Sequence, residues 1–239
     1  MLKTIIDLKK TTNFLGRVSV SNKDNHTIEC RVNPSQLSSY FKVNGYFFEP
    51  KGNQQNVKYI IEGYIFKERL YVDTDASIDF IDCQILDGID VFNADTIRLK
   101  NNRHFLFNKK NLRGDPYLIT RDVKKVILDE EDLRNRNTDE NLVSDFNIDL
   151  CADEIIVNDS QITTPEGSVS ITAGDLEITK SEITGKDVTL DTERTPESDL
   201  ESKITAETLH WFGKMGSKVK VDFNKIDRKK EQFTKVFKK

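Results

Sequence analysis

The sequence predicts a mostly β protein built around a parallel β-helix with about 21 residues per coil. The tetrapeptides at 160–163, 181–184 and 202–205 read SQIT, SEIT and SKIT and stand 21 residues apart. Between them apolar residues recur every seven residues, and each usually has an apolar neighbour two positions away, as in Val169 and Ile171. This alternation indicates a strand with one buried face. Three such strands and their turns close one coil, which we expect to be triangular and right-handed.

The predicted core consists of the residues that hold the seven-residue phase. They are Ile155, Ile162, Val169, Leu176, Ile183 and Ile204. A coiled coil has the same spacing, but prolines and glycines interrupt this stretch, and its Thr, Ser and Asp content is unlike that of a long helix. An antiparallel β-sandwich stays open as the alternative fold, because it also has short alternating strands at regular spacing.

The same pattern extends the predicted solenoid over residues 71–212. Residues 78–85 align with 155–162, and residues 94–99 align with 152–157 and with 206–211. These copies agree in both pattern and offset, which indicates that further coils precede the clear repeat.

Residues 1–70 do not show the repeat of the solenoid, and their pattern predicts a small β-rich module. FLGRVSV and HTIECRV alternate and are joined by a turn-rich segment, which predicts a hairpin. Asn33 followed by Pro34 is typical of a helix start. We expect this module to cap the open end of the solenoid, since an uncovered end coil exposes unpaired strand edges.

The repeat lapses between about residues 108 and 147, which predicts an insertion at one corner. The stretch is highly charged and has a helical pattern from Asp122 onward. Insertions in repeat proteins cluster on one face, often the binding face, but a solvated loop or short helix without a partner explains the pattern equally. The acidic run at 129–132 lacks the spacing of a calcium-binding loop.

The C-terminal residues 213–239 predict a basic amphipathic helix. This segment has ten Lys/Arg against three Asp/Glu, a net charge of +7, whereas the whole chain has −4. Apolar residues from Phe223 onward fall at helical spacing among lysines. The candidate partner-binding residues are Phe223, Ile226, Arg228, Lys229, Lys230, Phe233 and Phe237. Such a helix binds a protein groove or an anionic membrane surface, or folds back and caps the solenoid.

The remaining sequence features favour a cytoplasmic protein without a cofactor. No apolar run reaches the roughly 18 residues of a transmembrane helix, and the N-terminus lacks the pattern of a secretory signal. Cys30, Cys83 and Cys151 are isolated and predict reduced thiols, not a disulfide frame or a zinc site. Phosphate-loop, dinucleotide, metalloprotease and serine-hydrolase motifs do not occur. His26, His104 and His210 are scattered, and we expect ordinary exposed or partly packed imidazoles and no catalytic or metal site.

The stretch SVSITAGDLEITKSEITGKDVTLDT resembles, in a generic way, the coils of bactofilins and of the filamentous-haemagglutinin type of secreted β-helix. The repeat that contains it covers about a quarter of the chain. The resemblance implies the solenoid architecture and no family identity, since the glycine density of bactofilin coils and a secretion signal are both missing.

The sequence therefore favours a non-enzymatic scaffold or protein-interaction solenoid that engages a protein partner or further copies of itself. The alternative is a carbohydrate-active β-helix enzyme, a polysaccharide lyase or hydrolase, with outward carboxylates aligned on one face. The candidates for such a row are Asp79, Asp82, Asp153 and Asp159. Nucleic acid is disfavoured as a partner because the body of the chain is acidic.

Overall fold

The computed structural model describes residues 18–22, 28–32, 46–48, 57–66, 69–104, 116–134, 146–213 and 220–226. Within these ranges the chain forms twenty β-strands joined into one sheet and no helix. It is a parallel β-solenoid of about six coils, with about 21 residues per coil. The predicted solenoid is therefore confirmed and the β-sandwich is wrong, because the stacked strands pair in parallel. The hand of the coil stays a prediction.

Each coil contributes one strand, or part of a long strand, to each of three stacks, which we call faces 1, 2 and 3. Face 1 consists of β2 (Ile28–Val32), β4 (Val57–Glu62), β7 (Ser77–Ile81), β10 (Thr96–Lys100), β13 (Val123–Asp129), the end of β15 (Ile148–Asn158), the end of β16 (Gln161–Thr179) and β18 (Glu197–Ser198). Face 2 consists of β5 (Ile65–Phe66), β8 (Gln84–Ile85), β11 (Arg103–His104), β14 (Asp132–Arg134) and the starts of β16, β17 (Glu182–Thr192), β19 (Lys203–Phe212) and β20 (Lys220–Ile226). Face 3 consists of β3 (Tyr46–Phe48), β6 (Leu70–Asp73), β9 (Ile89–Phe92), β12 (Leu118–Arg121), the start of β15, the middle of β16 and the ends of β17 and β19.

The core fills the space between the three faces with inward side chains of alternating residues. All six predicted core residues are at most 3% exposed, which confirms the seven-residue phase. The strand register places similar residues of successive coils opposite each other. Ile162 lies opposite Ile183, and Ile183 lies opposite Ile204. Each coil thus covers the apolar surface of the next, and this burial is the main stabilising term of a solenoid.

The corner between faces 1 and 2 is turned by a residue in the left-handed backbone region in five successive coils. These residues have φ between 46° and 56° and are Asp82, Asn101, Glu130, Asp159 and Lys180. Asn and Asp tolerate this conformation better than other residues with a side chain, which explains why three of the five positions hold them.

Residues 116–134 of the segment predicted as an insertion form solenoid strands, and the helix expected from Asp122 is wrong within them. Strand β13 pairs in parallel with β10 and with β15, so Val126 lies between Ile97 and Ile155. The charged residues that suggested a helix point outward from this strand: Lys125 is half-buried and pairs with Glu154 of the next coil. The register offset rises to 29 residues in these two coils, and the added length lies in 105–115 and 135–145, outside the described residues.

The N-terminal strands also join the stack. β1 (Val18–Asn22) pairs antiparallel with β2, as expected for the predicted hairpin. β2 then pairs in parallel with β4, and β3 with β6, so no break in strand stacking occurs at residue 70. The helix start predicted at 33–34 lies outside the described residues.

The start of the predicted C-terminal helix is a strand. Residues 220–226 form β20, which pairs in parallel with β19 and places Phe223 opposite Ala206 and Ile226 opposite Leu209. The apolar spacing of three residues fits a helix, but it also fits two strand positions on either side of a corner. Residues 227–239, which hold the rest of the predicted helix, lie outside the described residues. The described part of the chain contains no helix, and therefore no helix there that could span a membrane.

Replacing Ile183 by Asp should unfold the central coils. Ile183 is fully buried and sits between Ile162 and Ile204, and an unpaired buried carboxylate costs several kcal/mol. Thermal melting followed by circular dichroism provides the measurement, and Glu182→Asp, at the exposed neighbouring position, is the control. An Ile183→Asp variant that melts like the parent would contradict the core assignment.

Candidate functional site

A groove of about 780 Å³ runs along the corner between faces 3 and 1. Small residues form part of its lining: Ala152, Ala173 and Gly174. A Cβ on Gly174 would stand 2.8 Å from the carbonyl oxygen of Asp153, so the backbones of adjacent coils approach too closely here for a side chain without local movement. We call this feature the corner groove, lined by residues 122–124, 151–153, 172–175, 191, 193 and 194.

The corner groove carries net negative charge. Its acidic residues are Asp122, Asp153, Asp175, Asp191 and Glu193, and its basic residues are Lys124 and Arg194. Both cations are engaged with carboxylates: Lys124 Nζ lies 2.8 Å from Asp95, and Arg194 lies 2.6 Å from Asp175. Among the described residues, no ion pair involves the other four acids of the groove. No group of three His, Cys, Asp or Glu side chains in that same part of the chain is arranged to hold a metal ion.

A second feature is a buried polar ladder at the corner between faces 1 and 2. Each rung is a backbone N–H that donates to the side chain of the equivalent residue in the next coil. The donors and acceptors, in order, are Cys83 to Asn102 Oδ1 (2.8 Å), Asn102 to Glu131 Oε1 (3.0 Å), Glu131 to Ser160 Oγ (2.9 Å), Ser160 to Ser181 Oγ (3.0 Å) and Ser181 to Ser202 Oγ (3.2 Å). A buried N–H without an acceptor is costly, so the ladder satisfies a requirement that strand pairing does not meet at the corner.

The serines of the ladder are the first residues of the SQIT, SEIT and SKIT repeats. Their hydroxyls also donate, as Ser160 Oγ does to the carbonyl oxygen of Asn158 at 2.7 Å. The ladder ends at Asp199, whose carboxylate accepts the N–H of Ser202 at 2.8 Å and the N–H of Lys180 at 2.8 Å. The hydrogen bond from the Ser202 side chain is the largest of the effects that lower the pKa of Asp199 below its usual value.

Glu131 links the ladder to a buried histidine and tyrosine. Its Oε2 contacts Nε2 of His104, and Nδ1 of His104 lies 3.1 Å from the hydroxyl of Tyr117. The side chains of His104 and Glu131 are fully shielded from solvent. The expectation of an exposed or partly packed imidazole at His104 is therefore wrong, and a substrate has no access to this pair.

Each polar side chain of this network has a partner. The Tyr117 hydroxyl donates to the carbonyl oxygen of Ile85 at 2.8 Å, so it accepts from Nδ1 of His104. The other ring nitrogen of His104, Nε2, faces Oε2 of Glu131. Burial, followed by the charge of Glu131, raises the pKa of Tyr117 well above its usual value. The network is structural because every member is satisfied and buried.

Outward carboxylates on faces 1 and 3 pair with cations of neighbouring coils. The pairs are Lys58–Asp79, Arg69–Asp90, Arg98–Asp129, Arg121–Asp149 and Lys125–Glu154. Burial alone would raise the pKa of Asp129, but hydrogen bonds from Arg98 and Asn158 and the charges of Arg98 and Lys100 bring it below its usual value. These contacts join successive coils on the outside, as the ladder does on the inside.

The carboxylates considered as a catalytic row do not form one. Asp79 is buried on face 1 and pairs with Lys58 at 2.7 Å. Asp82 and Asp159 turn the corner between faces 1 and 2, where Asp82 accepts a hydrogen bond from Asn101. Of the four, only Asp153 lines the corner groove.

The predicted partner-binding residues are divided by the structure. Phe223 and Ile226 lie in β20. Arg228, Lys229, Lys230, Phe233 and Phe237 lie outside the described residues. Sequence reasoning missed the corner groove and the network around Glu131. The repeated serines carried a signal that could have revealed the ladder, since a serine repeated in phase at an inward corner position needs a backbone partner. The groove arises from small residues that share no motif.

Comparison with protein-family models, curated proteins and solved structures finds no match to this chain. The site is therefore interpreted from its own geometry.

Replacing Ser181 by Ala should destabilise the solenoid by about 1–3 kcal/mol, because the buried N–H of Ser160 loses its acceptor. Urea denaturation of the full chain measures the free energy of unfolding. Thr184→Ala, three residues away with only a 3.5 Å side-chain contact, is the matched control and should change little. Equal effects of the two substitutions would show that the ladder contributes nothing specific.

Replacing Glu131 by Gln should destabilise the solenoid by about 1.5–3 kcal/mol, because the buried hydrogen bond between the Glu131 side chain and Nε2 of His104 is weakened. The amide oxygen can still accept from the N–H of Asn102, so the ladder itself is kept. Urea denaturation of the full chain measures the free energy of unfolding, with Glu182→Gln, an exposed substitution, as the control. Equal free energies of unfolding for the two variants would contradict a structural role of the network.

Proposed function

We propose that this protein is a non-enzymatic scaffold whose solenoid presents its surfaces to a protein partner, including further copies of the same chain. The observation that carries the proposal is the use of outward charges. On faces 1 and 3 five carboxylates pair with cations of the adjacent coil, as in the contact of Lys125 with Glu154 at 2.8 Å. Groups held in this way strengthen a rigid body and are poorly placed for acid–base chemistry.

The buried network supports the same function. A histidine beside a carboxylate is a common catalytic pair, but here both side chains are shielded and serve the stacking of coils. Rigid, extended surfaces of stacked repeats are typical of proteins that bind large partners. The location proposed for this scaffold is the cytoplasm, on the sequence features given above.

A carbohydrate-active enzyme is the second candidate, and one observation favours it. The corner groove is elongated along the solenoid and lined by several carboxylates, which is the arrangement that a polysaccharide-cleaving β-helix needs. Its small lining residues leave room for a chain-like ligand. The two proposals therefore differ in whether the groove performs chemistry.

We expect the purified full chain to release no reducing ends and no unsaturated sugars from a panel of neutral and anionic polysaccharides. We also expect sedimentation velocity to show assemblies that grow with protein concentration. The double variant Asp153→Asn and Asp175→Asn removes two groove charges and serves as the control in both measurements.

Release of product by the parent and not by the double variant would establish the enzyme. A chain that stays monomeric at all concentrations would contradict self-association and leave a distinct protein as the partner class, to be tested by binding with the faces varied one at a time.

A further inference from the structure

Strand β20 ends close to the corner groove. We propose that residues 227–239 fold back in cis and occupy this groove, so that the chain provides the groove's resident ligand. The proposal goes beyond the scaffold function, since it concerns an intramolecular contact that exists whether or not a partner is bound.

The first argument is the point at which the described chain ends. Ile226 lies opposite Leu209 on face 3, whereas β19 continues to Phe212. Strand β20 therefore ends three register positions before the residue of β19 that reaches the corner between faces 3 and 1. That corner, in the preceding coils, is the corner groove, and Asp191 of the groove lies directly opposite Phe212.

The second argument is length. The groove spans four coils, which are three intervals of about 4.8 Å, or about 14 Å. β20 lies two coils beyond the last coil of the groove, so about 10 Å more separate its level from the groove. Residues 227–239 comprise thirteen residues, which extend about 20 Å as a helix and about 40 Å as an extended chain. The segment is therefore long enough to enter the groove, and a partly extended path reaches its far end.

The third argument is charge. The segment has six Lys/Arg and two Asp/Glu, a net charge of +4. Four acids of the groove have no ion-pair partner among the described residues, namely Asp122, Asp153, Asp191 and Glu193. Opposite charge of this density attracts a tethered segment at physiological ionic strength, where the screening length is about 8 Å.

The fourth argument is apolar contact at the entrance. Phe212 is 37% exposed, which makes it one of the few large apolar side chains exposed in the described part of the chain. In a helix over 227–239, Phe233, Val236 and Phe237 share one face at spacings of three and four residues. This stripe supplies an apolar surface to pack on the groove lining while the lysines reach the acidic walls.

Cys151 offers a native probe, because it lines the groove and is partly exposed. We would introduce one cysteine at a time at Lys229, Gln232, Lys235 and Lys239 of the full chain and treat dilute protein with oxidised glutathione. A disulfide needs Cα atoms closer than about 7 Å. The expected result is a disulfide to Cys151 within one chain for at least one position, identified by mass spectrometry of unreduced peptides from the monomer band. Cys83 should not react, since burial raises its pKa to about 11.

The charge argument is tested with matched variants. Asp122→Lys combined with Glu193→Lys reverses two exposed groove charges and should lower the yield of the Cys151 disulfide about tenfold, as should 1 M salt. Glu182→Lys combined with Asp187→Lys reverses two exposed charges outside the groove and should leave the yield unchanged. Reversal of Lys229 and Lys230 to Glu in the groove variant should restore the yield.

Three results would overturn the proposal. They are absence of any Cys151 disulfide from all four positions, disulfides found only between chains, which would assign the groove to the tail of a second copy, and a yield unaffected by groove reversal and salt. Polysaccharide cleavage would contradict the scaffold function and leave this proposal standing, so the two are separable.

Discussion

The structure depends on one repeated interaction, the hydrogen bond from a corner N–H to the side chain of the next coil. Strand pairing satisfies the backbone along the faces, but at the corner between faces 1 and 2 the chain turns inward and the N–H is buried. Ser160, Ser181 and Ser202 supply the missing acceptors, and a left-handed residue before the first two directs the chain into position. The apolar core tolerates many side chains of similar size, whereas this corner needs an acceptor of defined reach. That difference explains why the serines recur with a strict interval of 21 residues.

The ladder also explains how coils of unequal length stack. Asn102 and Glu131 occupy serine positions in the two coils that carry the added segments 105–115 and 135–145. A longer side chain at these positions accepts the same corner N–H and still reaches a further group, which is Phe80 for Asn102 and His104 for Glu131. His104 directly precedes the first added segment, and Tyr117 closely follows it. The network therefore fixes the residues on both sides of that segment to the coils above and below, so the described strands keep their register despite the added length.

The fold was predictable from sequence to the extent that it depends on period. The 21-residue interval identified the solenoid and every core residue named from its phase, because stacking in register repeats the same environment. The prediction of strands failed where charged residues obscured the repeating apolar pattern. Val126 and Leu128 are buried in β13, but the lysines and acids around them suggested a helix. The helix prediction at Phe223 and Ile226 was wrong for a related reason. A spacing of three residues fits one face of a helix, but it also fits two strand positions on either side of a corner. The corner groove could not be predicted from the sequence, because it depends on small residues from different coils that only the stacking of the coils brings together.

Segregation of charge within the chain has a consequence for binding. The corner groove is acidic and the last residues are basic, so a segment of opposite charge is joined covalently to the groove. A short tether gives an effective concentration in the millimolar range, above that of most free proteins. A basic partner that competes for the groove must therefore bind it more tightly than the tail does, or bring apolar contacts that the tail lacks. A partner that instead binds the displaced tail gains from any condition that weakens attraction to the groove, such as raised salt or neutralised carboxylates. A ligand of the groove must therefore be basic or apolar enough to displace the tail, whereas a ligand of the tail must compete with the acidic groove.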